Sequence, residues 1–300
     1  MTECERLIEN GRFTPEFFNP EYRNDFYVDE VRKKIWAIEI DLYLEFERVC
    51  KKHNLKYFVF FGTLLGSIRH GGFIPWDDDL DIAMPRKDYD IFITLADEFK
   101  MPYFLQLPAT DKKSGFTVAK LRNSNTTAIA YPFRYQQMNH GIFIDINPID
   151  EVDMSDVQEC YDNVRDLALQ NSAYMRLSNP NPDENDINKI KNWRGEDSVT
   201  VFNRIQEICS KYAGMGKENV ALISSTIYSC DRQTYYAGDF QDITYVKFEN
   251  IMVPVPTGYD GILKAIYGDY MEFPPVNDRN SHSSIFFDPD KRYEIELGRN

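Results

Sequence analysis

Phe61-Gly62-Thr63-Leu64-Leu65-Gly66-Ser67-Ile68-Arg69-His70-Gly71-Gly72-Phe73-Ile74-Pro75-Trp76-Asp77-Asp78-Asp79-Leu80-Asp81-Ile82 sets a glycine-spaced segment against a run of acids that passes into a strand. Ahead of it, Tyr57 to Phe61 is short, aromatic and β-branched and stops at Gly62, the pattern of a buried strand feeding a tight turn. Thr63 to His70 reads as one or two helical turns closed by Gly71-Gly72. Behind it, Leu80 to Met84 alternates acidic and apolar residues up to Pro85. A strand is expected there, with Asp79 and Asp81 on one side and Leu80 and Ile82 toward the core. Asp77, just before the strand, can join the two acids.

Carboxylates held this close repel and raise one another's pKa values, and a divalent cation is the natural way to keep them ionised. Oxygen-only ligands favour Mg²⁺, Mn²⁺ or Ca²⁺ over zinc. A second acidic strand, Ile142-Phe143-Ile144-Asp145-Ile146, places one carboxylate among apolar neighbours, where a buried charge needs a partner. Taken alone, each feature has a plainer reading: a solvated turn for the acids, a strand-end hydrogen bond for Asp145. An EF-hand fails, because position six of such a loop is Ile82 rather than Gly and position twelve is Asp88 rather than Glu. Gly62 to Ser67 can cradle a phosphate with backbone N–H groups at a helix start, or Gly62 and Gly66 can serve a tight turn and close helix packing. Arg69 follows directly and can hold a phosphate bidentately.

The 300 residues allow one large domain or two modest ones, with 43% hydrophobic and 27% charged residues arguing against disorder. A formal charge of −14 opposes nucleic acid as a bulk partner, since such binding rests on Lys and Arg neutralising phosphates. The five cysteines carry no Cys-x-x-Cys pair, so neither a zinc site nor a disulfide framework is indicated. With no signal-peptide pattern and no apolar stretch of membrane-spanning length, a cytoplasmic protein is expected, compatible with peripheral contact to a membrane-bound acceptor. Val31, Ile35, Ile38, Leu42, Phe46 and Val49 predict a helix from Asp29. Further expectations are a helix over 86–99, strands over 103–107, 116–122 and 142–146, helices over 155–175 and 198–212, a hairpin over 246–255, a helix over 257–267, and a loop-like tail after Pro275. The expected architecture is α+β: a mixed sheet flanked by helices, with a largely helical C-terminal half. Its parts are an aromatic N-terminal extension (1–28) packed on the body, a catalytic core (29–152) and a mainly helical region (153–300).

With those residues in hand, the run from Phe61 to Ile82 closely resembles the LicD family, whose fold is that of the nucleotidyltransferases. Gly66-Ser67, Asp79-Leu80-Asp81 and Asp145 match that fold's turn, its Asp-hydrophobic-Asp strand and its later acid, in order. Lys120-Leu121-Arg122, Phe143 to Asp150 and Tyr267-Gly268-Asp269-Tyr270 look similar too, so the resemblance spans roughly 30–285. Asn147 departs from the aromatic many relatives carry.

The resemblance implies transfer of phosphocholine, or of a polyol phosphate in the fukutin-type branch, from a CDP-activated donor to a cell-surface glycan or glycolipid. Asp77, Asp79, Asp81 and Asp145 would then hold Mg²⁺ or Mn²⁺, with Asp79, Asp81 and Asp145 catalytic. Gly62, Thr63, Gly66 and Ser67 would grip the donor phosphates, with Arg69, Lys120 and Arg122 offsetting charge. A choline head group needs aromatic faces, for which Trp76, Tyr131, Tyr267 and Tyr270 are candidates, and His282 is placed to close over the site. The rival readings are nucleotidyl transfer from an NTP with pyrophosphate release, a metal-dependent glycosyltransferase, and a non-catalytic calcium-binding protein.

Overall fold

A computed structural model describes all residues except 180–182, 192–194, 281–284 and 294–300. In chain order its elements are α1 (Glu3–Glu9), β1 (Glu21–Arg23), β2 (Phe26–Val28), α2 (Glu30–His53), β3 (Phe58–Val59), α3 (Phe61–Arg69), β4 (Asp81–Pro85), α4 (Arg86–Phe92), β5 (Tyr103–Gln106), β6 (Ala119–Asn123), β7 (Thr127–Ala130) and β8 (Ile142–Val152). Then come α5 (Val157–Arg176), α6 (Glu184–Lys189), α7 (Ser198–Cys209), β9 (Asn219–Ala221), β10 (Thr234–Tyr236), β11 (Ile243–Phe248), β12 (Ile251–Pro256), α8 (Tyr259–Tyr267) and β13 (Ile285–Asp288).

The long strand β8 organises the main sheet. It runs parallel to β4, with Asp81 opposite Asp145 and Ile82 opposite Ile146. On its other edge it pairs antiparallel with β6 over its first half and with β9 over its last three residues. β3 and β5 extend the sheet outward, which makes it mixed. Ile82, Met84, Ile142, Ile144 and Ile146 are buried, and β4 is buried at every position from Asp81 to Met84, the pattern of a strand covered on both faces.

Helix α2 begins where Asp29 accepts the Arg32 N–H at 2.8 Å, ends at Asn54 in the left-handed conformation, and carries Lys51, Lys52 and His53 in its last turn, opposite the helix dipole's negative end. It packs across β8 and β6. Ile35, Ile38, Leu42, Phe46 and Val49 join the main core, whereas a second core lies where α5 and α7 cover the β8–β9 end.

Several boundaries differ from expectation. The first strand is only Phe58–Val59, and the chain enters α3 at Phe61 with φ +42°. The helical turns expected over 63–70 are α3, and the Gly66-Ser67 turn that the resemblance implied lies within that helix. β4 starts at Asp81, so Asp77 and Asp79 belong to the loop before it. The helix expected over 86–99 ends at Phe92 and resumes as one 3₁₀ turn, Ala96–Glu98. The C-terminal half is mixed rather than largely helical, with β9 to β13 and, among the described residues, only α8 as an α-helix after α7. The tail after Pro275 contributes a strand, β13, paired antiparallel with β7. No helix among the described residues is long and apolar enough to cross a membrane.

Candidate active site

Four acids meet at one end of the sheet. The parallel register sets Asp81 beside Asp145, and the loop ahead of β4 brings in Asp77 and Asp79. Burial pushes the Asp81 carboxyl well above the usual carboxylate range, and Asp79, Asp145 and Asp77 push it further while Lys120 opposes them. The backbone around Asp81 is fully committed: its N–H donates to Thr63 Oγ1 at 2.9 Å, its carbonyl accepts from Phe60 N at 2.9 Å, and Leu80 O accepts from Asp145 N at 3.0 Å.

Helix α2 holds the loop from behind. The Asp77 carbonyl accepts from Arg32 Nη1 at 2.8 Å and from Trp36 Nε1 at 3.0 Å, and Arg32 pairs with Asp78 at 3.1 Å. Asp78 thus turns away from its neighbours toward a cation. One helical turn beyond Trp36 stands Glu39, 1% exposed, with Oε2 buried and unpartnered. Burial raises its pKa well above the ordinary range, and Asp79, Asp78 and Asp77 add to the effect.

A cavity of about 270 Å³ opens over the acids, lined by Phe61, Gly62, Ile74, Trp76, Asp77, Asp79, Asp81, Ile227, Tyr228, Tyr267 and Asn280. Its aromatic wall is knit together: the Tyr228 and Phe61 rings lie 5.6 Å apart, and Tyr228 and Tyr267 cross nearly perpendicular at 6.1 Å, their hydroxyls 3.4 Å apart. Both phenols have raised pKa values, through burial first, with Asp77 and Asp81 among the further causes. A pocket in this anionic field with aromatic walls suits a cation.

The other expected site residues divide. Gly62 lies against the acids: a Cβ there would meet Asp77 Oδ2 at 2.5 Å. Gly66 serves packing, since its Cβ would strike the Gly72 carbonyl at 2.5 Å. Thr63 and Ser67 are buried and bonded internally, Thr63 to Asp81 and the Ser67 hydroxyl to Thr63 O at 2.7 Å. Arg69 lies outside the cavity lining and donates to the carbonyls of Tyr270 and Glu272 at 2.8 and 3.0 Å. Lys120 pairs with Asp145, its ammonium 4.0 Å from the Phe143 ring centroid. Arg122 is buried two residues further on, donating to Gln106 Oε1 and Gly141 O, and burial lowers its pKa to about 10. Of the aromatic candidates, Trp76 and Tyr267 line the cavity, Tyr131 is exposed elsewhere against Arg134, and Tyr270 is buried with its hydroxyl on Asp260. His282 lies outside the described residues.

Sequence reading missed Glu39, Tyr228 and Asn280. Glu39 left a signal: it sits four residues after Ile35 and three before Leu42, on the apolar stripe of its helix. Tyr228 and Asn280 stand in irregular segments with no local pattern. Among the described residues no group of three or more Asp, Glu, His or Cys side chains is placed to hold a metal ion.

A mixed sheet that presents paired strand carboxylates beside a glycine-containing helix is the frame of a nucleotidyltransferase-type transferase. Residues 54–179 match the family described as LicD/FKTN/FKRP, nucleotidyltransferase domain. The chain is 27% identical over 248 residues to the lipopolysaccharide cholinephosphotransferase LicD of Haemophilus influenzae, covering 79% of this chain and 90% of that protein. It is also 49% identical over 49 residues to an uncharacterized protein of Rickettsia typhi, and 57% identical over 37 residues to one of Rickettsia prowazekii, each a short stretch of 16% or less of either chain. Residues 54–179 are thus a domain of the LicD/FKTN/FKRP family, and the chain is a transferase. Every acid of the cluster falls inside the matched residues, whereas Arg32, Trp36, Glu39, Tyr228 and Tyr267 fall outside them.

Proposed function

We propose that the chain moves a phosphocholine-like or polyol-phosphate group from a CDP-activated donor to a hydroxyl of a cell-surface glycan, with Mg²⁺ or Mn²⁺ held by Asp77, Asp79, Asp81 and Asp145. The observation that carries this reading is the pairing of Asp81 with Asp145 across adjoining parallel strands, with Asp77 and Asp79 feeding in beside them. The donor set fits a hard divalent cation: all oxygen, several negative charges, and at Asp81 a carboxyl whose ionised form needs neutralising. When bound, the ion neutralises charge on the donor pyrophosphate and on the departing CMP.

The chain's own residues supply the rest. Asp145 takes the proton from the acceptor hydroxyl as that oxygen bonds to the distal phosphorus and the bond to the CMP oxygen breaks. Lys120, beside Asp145, offsets donor charge. Trp76, Tyr228 and Tyr267 offer ring faces to a quaternary ammonium, and the name of the Haemophilus influenzae relative supports that head group. Gly62 lets Asp77 and the donor approach the helix closely.

The test is product release. Purified chain with Mg²⁺ and CDP-choline, CDP-ribitol, UDP- and GDP-sugars or nucleoside triphosphates is assayed for the leaving group. CMP is expected from a CDP donor, none after EDTA, and none from Asp79→Asn of unchanged fold. Pyrophosphate from a triphosphate would transfer the site to nucleotidyl chemistry, and UDP from a sugar donor to glycosyl transfer.

A further inference from the structure

Beside the catalytic cavity lies a second depression, a groove of about 320 Å³ lined by Arg23, Asn24, His70, Gly71, Lys247 and Glu249. Three segments remote in sequence build it: the β1–β2 turn, the end of α3 and the end of β11. It adjoins the cavity through one shared wall, because the His70 ring lies 6.1 Å from that of Trp76, which lines the cavity.

The charge this groove offers a ligand is that of Lys247, because Arg23 is held between Glu21, 2.7 Å from its Nε, and Glu249. Its acid, Glu249, is consumed: the carboxylate accepts both Arg23 Nη1 and Nη2, at 2.5 and 2.9 Å, and the Phe73 N–H at 3.0 Å. Lys247 is exposed and makes no ion pair among the described residues. His70 is fixed as the neutral imidazole. Its Nε2 accepts from Arg69 Nε at 2.9 Å, so Nδ1 carries the proton and donates to Asn24 Oδ1 at 3.0 Å. Burial first, and then Arg69 and Arg23, lower its pKa to about 4.

We propose that this groove is the subsite for an acceptor sugar bearing a phosphoryl or carboxylate group, with Lys247 holding the anion while a neighbouring hydroxyl reaches past Trp76 toward Asp145. The assignment rests on the transfer reading above. The donor's own charge belongs in the cavity, with the acids and their cation, so the groove beyond Trp76 is left to the acceptor. Its volume suits one or two sugar rings, and the acidic remainder of the surface repels a long polyanion.

The test uses the full chain, with maltotetraose carrying one 6-phosphate as probe and unphosphorylated maltotetraose as control, titrated by calorimetry. The phosphorylated probe is expected to bind up to about fivefold tighter, as one exposed ion pair supplies, and the preference is expected to shrink in high salt. Lys247→Ala should reduce that preference and Lys247→Glu abolish it. Equal binding of the two probes, or a preference that Lys247→Glu leaves intact, overturns the proposal. The melting shift produced by CDP-choline with Mg²⁺ is recorded on the same variants and is expected to stay at the wild-type value. A failure of the donor reading appears there alone, and a failure of the groove appears in the probe preference alone.

Discussion

Gly62 and Gly66 occupy one helix four residues apart, yet a methyl group added to each meets a different obstacle. At Gly66 the new Cβ would lie 2.5 Å from the Gly72 carbonyl and 3.2 Å from Ile74 N. Both are backbone, and backbone cannot swing aside. Gly66→Ala is expected to destabilise by about 1–3 kcal/mol for overpacking, offset by up to about 1 kcal/mol of helix propensity, and a lowered midpoint in urea checks it. At Gly62 the obstacle is the Asp77 carboxylate at 2.5 Å, a side chain that can rotate. Gly62→Ala should therefore fold with nearly wild-type stability but lose activity by about tenfold or more, as displaced electrostatic groups do; assays of CMP release and melting on one sample separate the two effects. His70 gives a pH prediction. Its folded pKa of about 4 lies below its ordinary 6.5, so between those values the unfolded chain binds a proton that the folded chain refuses. The stabilisation is complete above the ordinary value and is lost as pH falls toward the folded one. In His70→Gln the melting temperature should fall less between about pH 7 and about pH 5 than in the wild type, as comparative thermal scans will show.

At the scale of elements, what was legible was what is periodic. The stripe of α2, the alternation of β4 and β8, and the β11–β12 hairpin all follow from burial repeating at the period of the backbone, and they appear where expected. The register that sets Asp81 against Asp145 is a consequence of two alternating strands pairing in parallel, which is why two distant acids could be read as one cluster. The helical turns over 63–70 were legible too, but not what their glycines serve: Gly62 and Gly66 are kept for close approach to Asp77 and Gly72, contacts no local pattern records. Strand β13 was unreadable for a similar reason, since only its partner β7 gives it meaning. Helix α2 carries a consequence for the site. Trp36 Nε1 and Arg32 Nη1 both hold the Asp77 carbonyl, so Trp36→Phe keeps the ring's bulk and removes one of two restraints. It should cost about 1 kcal/mol of stability and raise the Mg²⁺ concentration needed for half-maximal turnover by several-fold. A titration that matches the wild type would show that Arg32 alone suffices.

Over the whole molecule, the residues that make the matched domain work extend well before it. The match begins at residue 54, yet the first 28 residues enter the same core as the sheet through Leu7, Phe13, Phe18 and Val28. Their polar contacts are as specific as their apolar ones. Asp41, fully buried on α2, receives Arg6 at 2.6 Å, Arg12 at 3.2 Å and the Tyr103 hydroxyl at 2.8 Å. Glu3 accepts from the amides of Asn123 and Asn125 at 2.9 and 2.8 Å, at the end of β6. Arg23 fixes Glu249, whose carboxylate holds the Phe73 N–H and whose own N–H donates to Gly71 O at 2.9 Å, so the loop leading to Trp76 and Asp77 is clamped from the N-terminal hairpin. Arg6→Ala should cost about 2 kcal/mol, the worth of a hydrogen bond to a charged group, since Arg12 and Tyr103 still cover Asp41. Removing both arginines leaves a buried charge with only a phenol beside it, and about 3–5 kcal/mol is expected for that, more than the two single losses summed if Arg12→Ala alone is mild. Urea unfolding of the two single variants and the double variant measures this coupling directly. Additive, small effects would mean that the N-terminal segment is held by its apolar contacts alone.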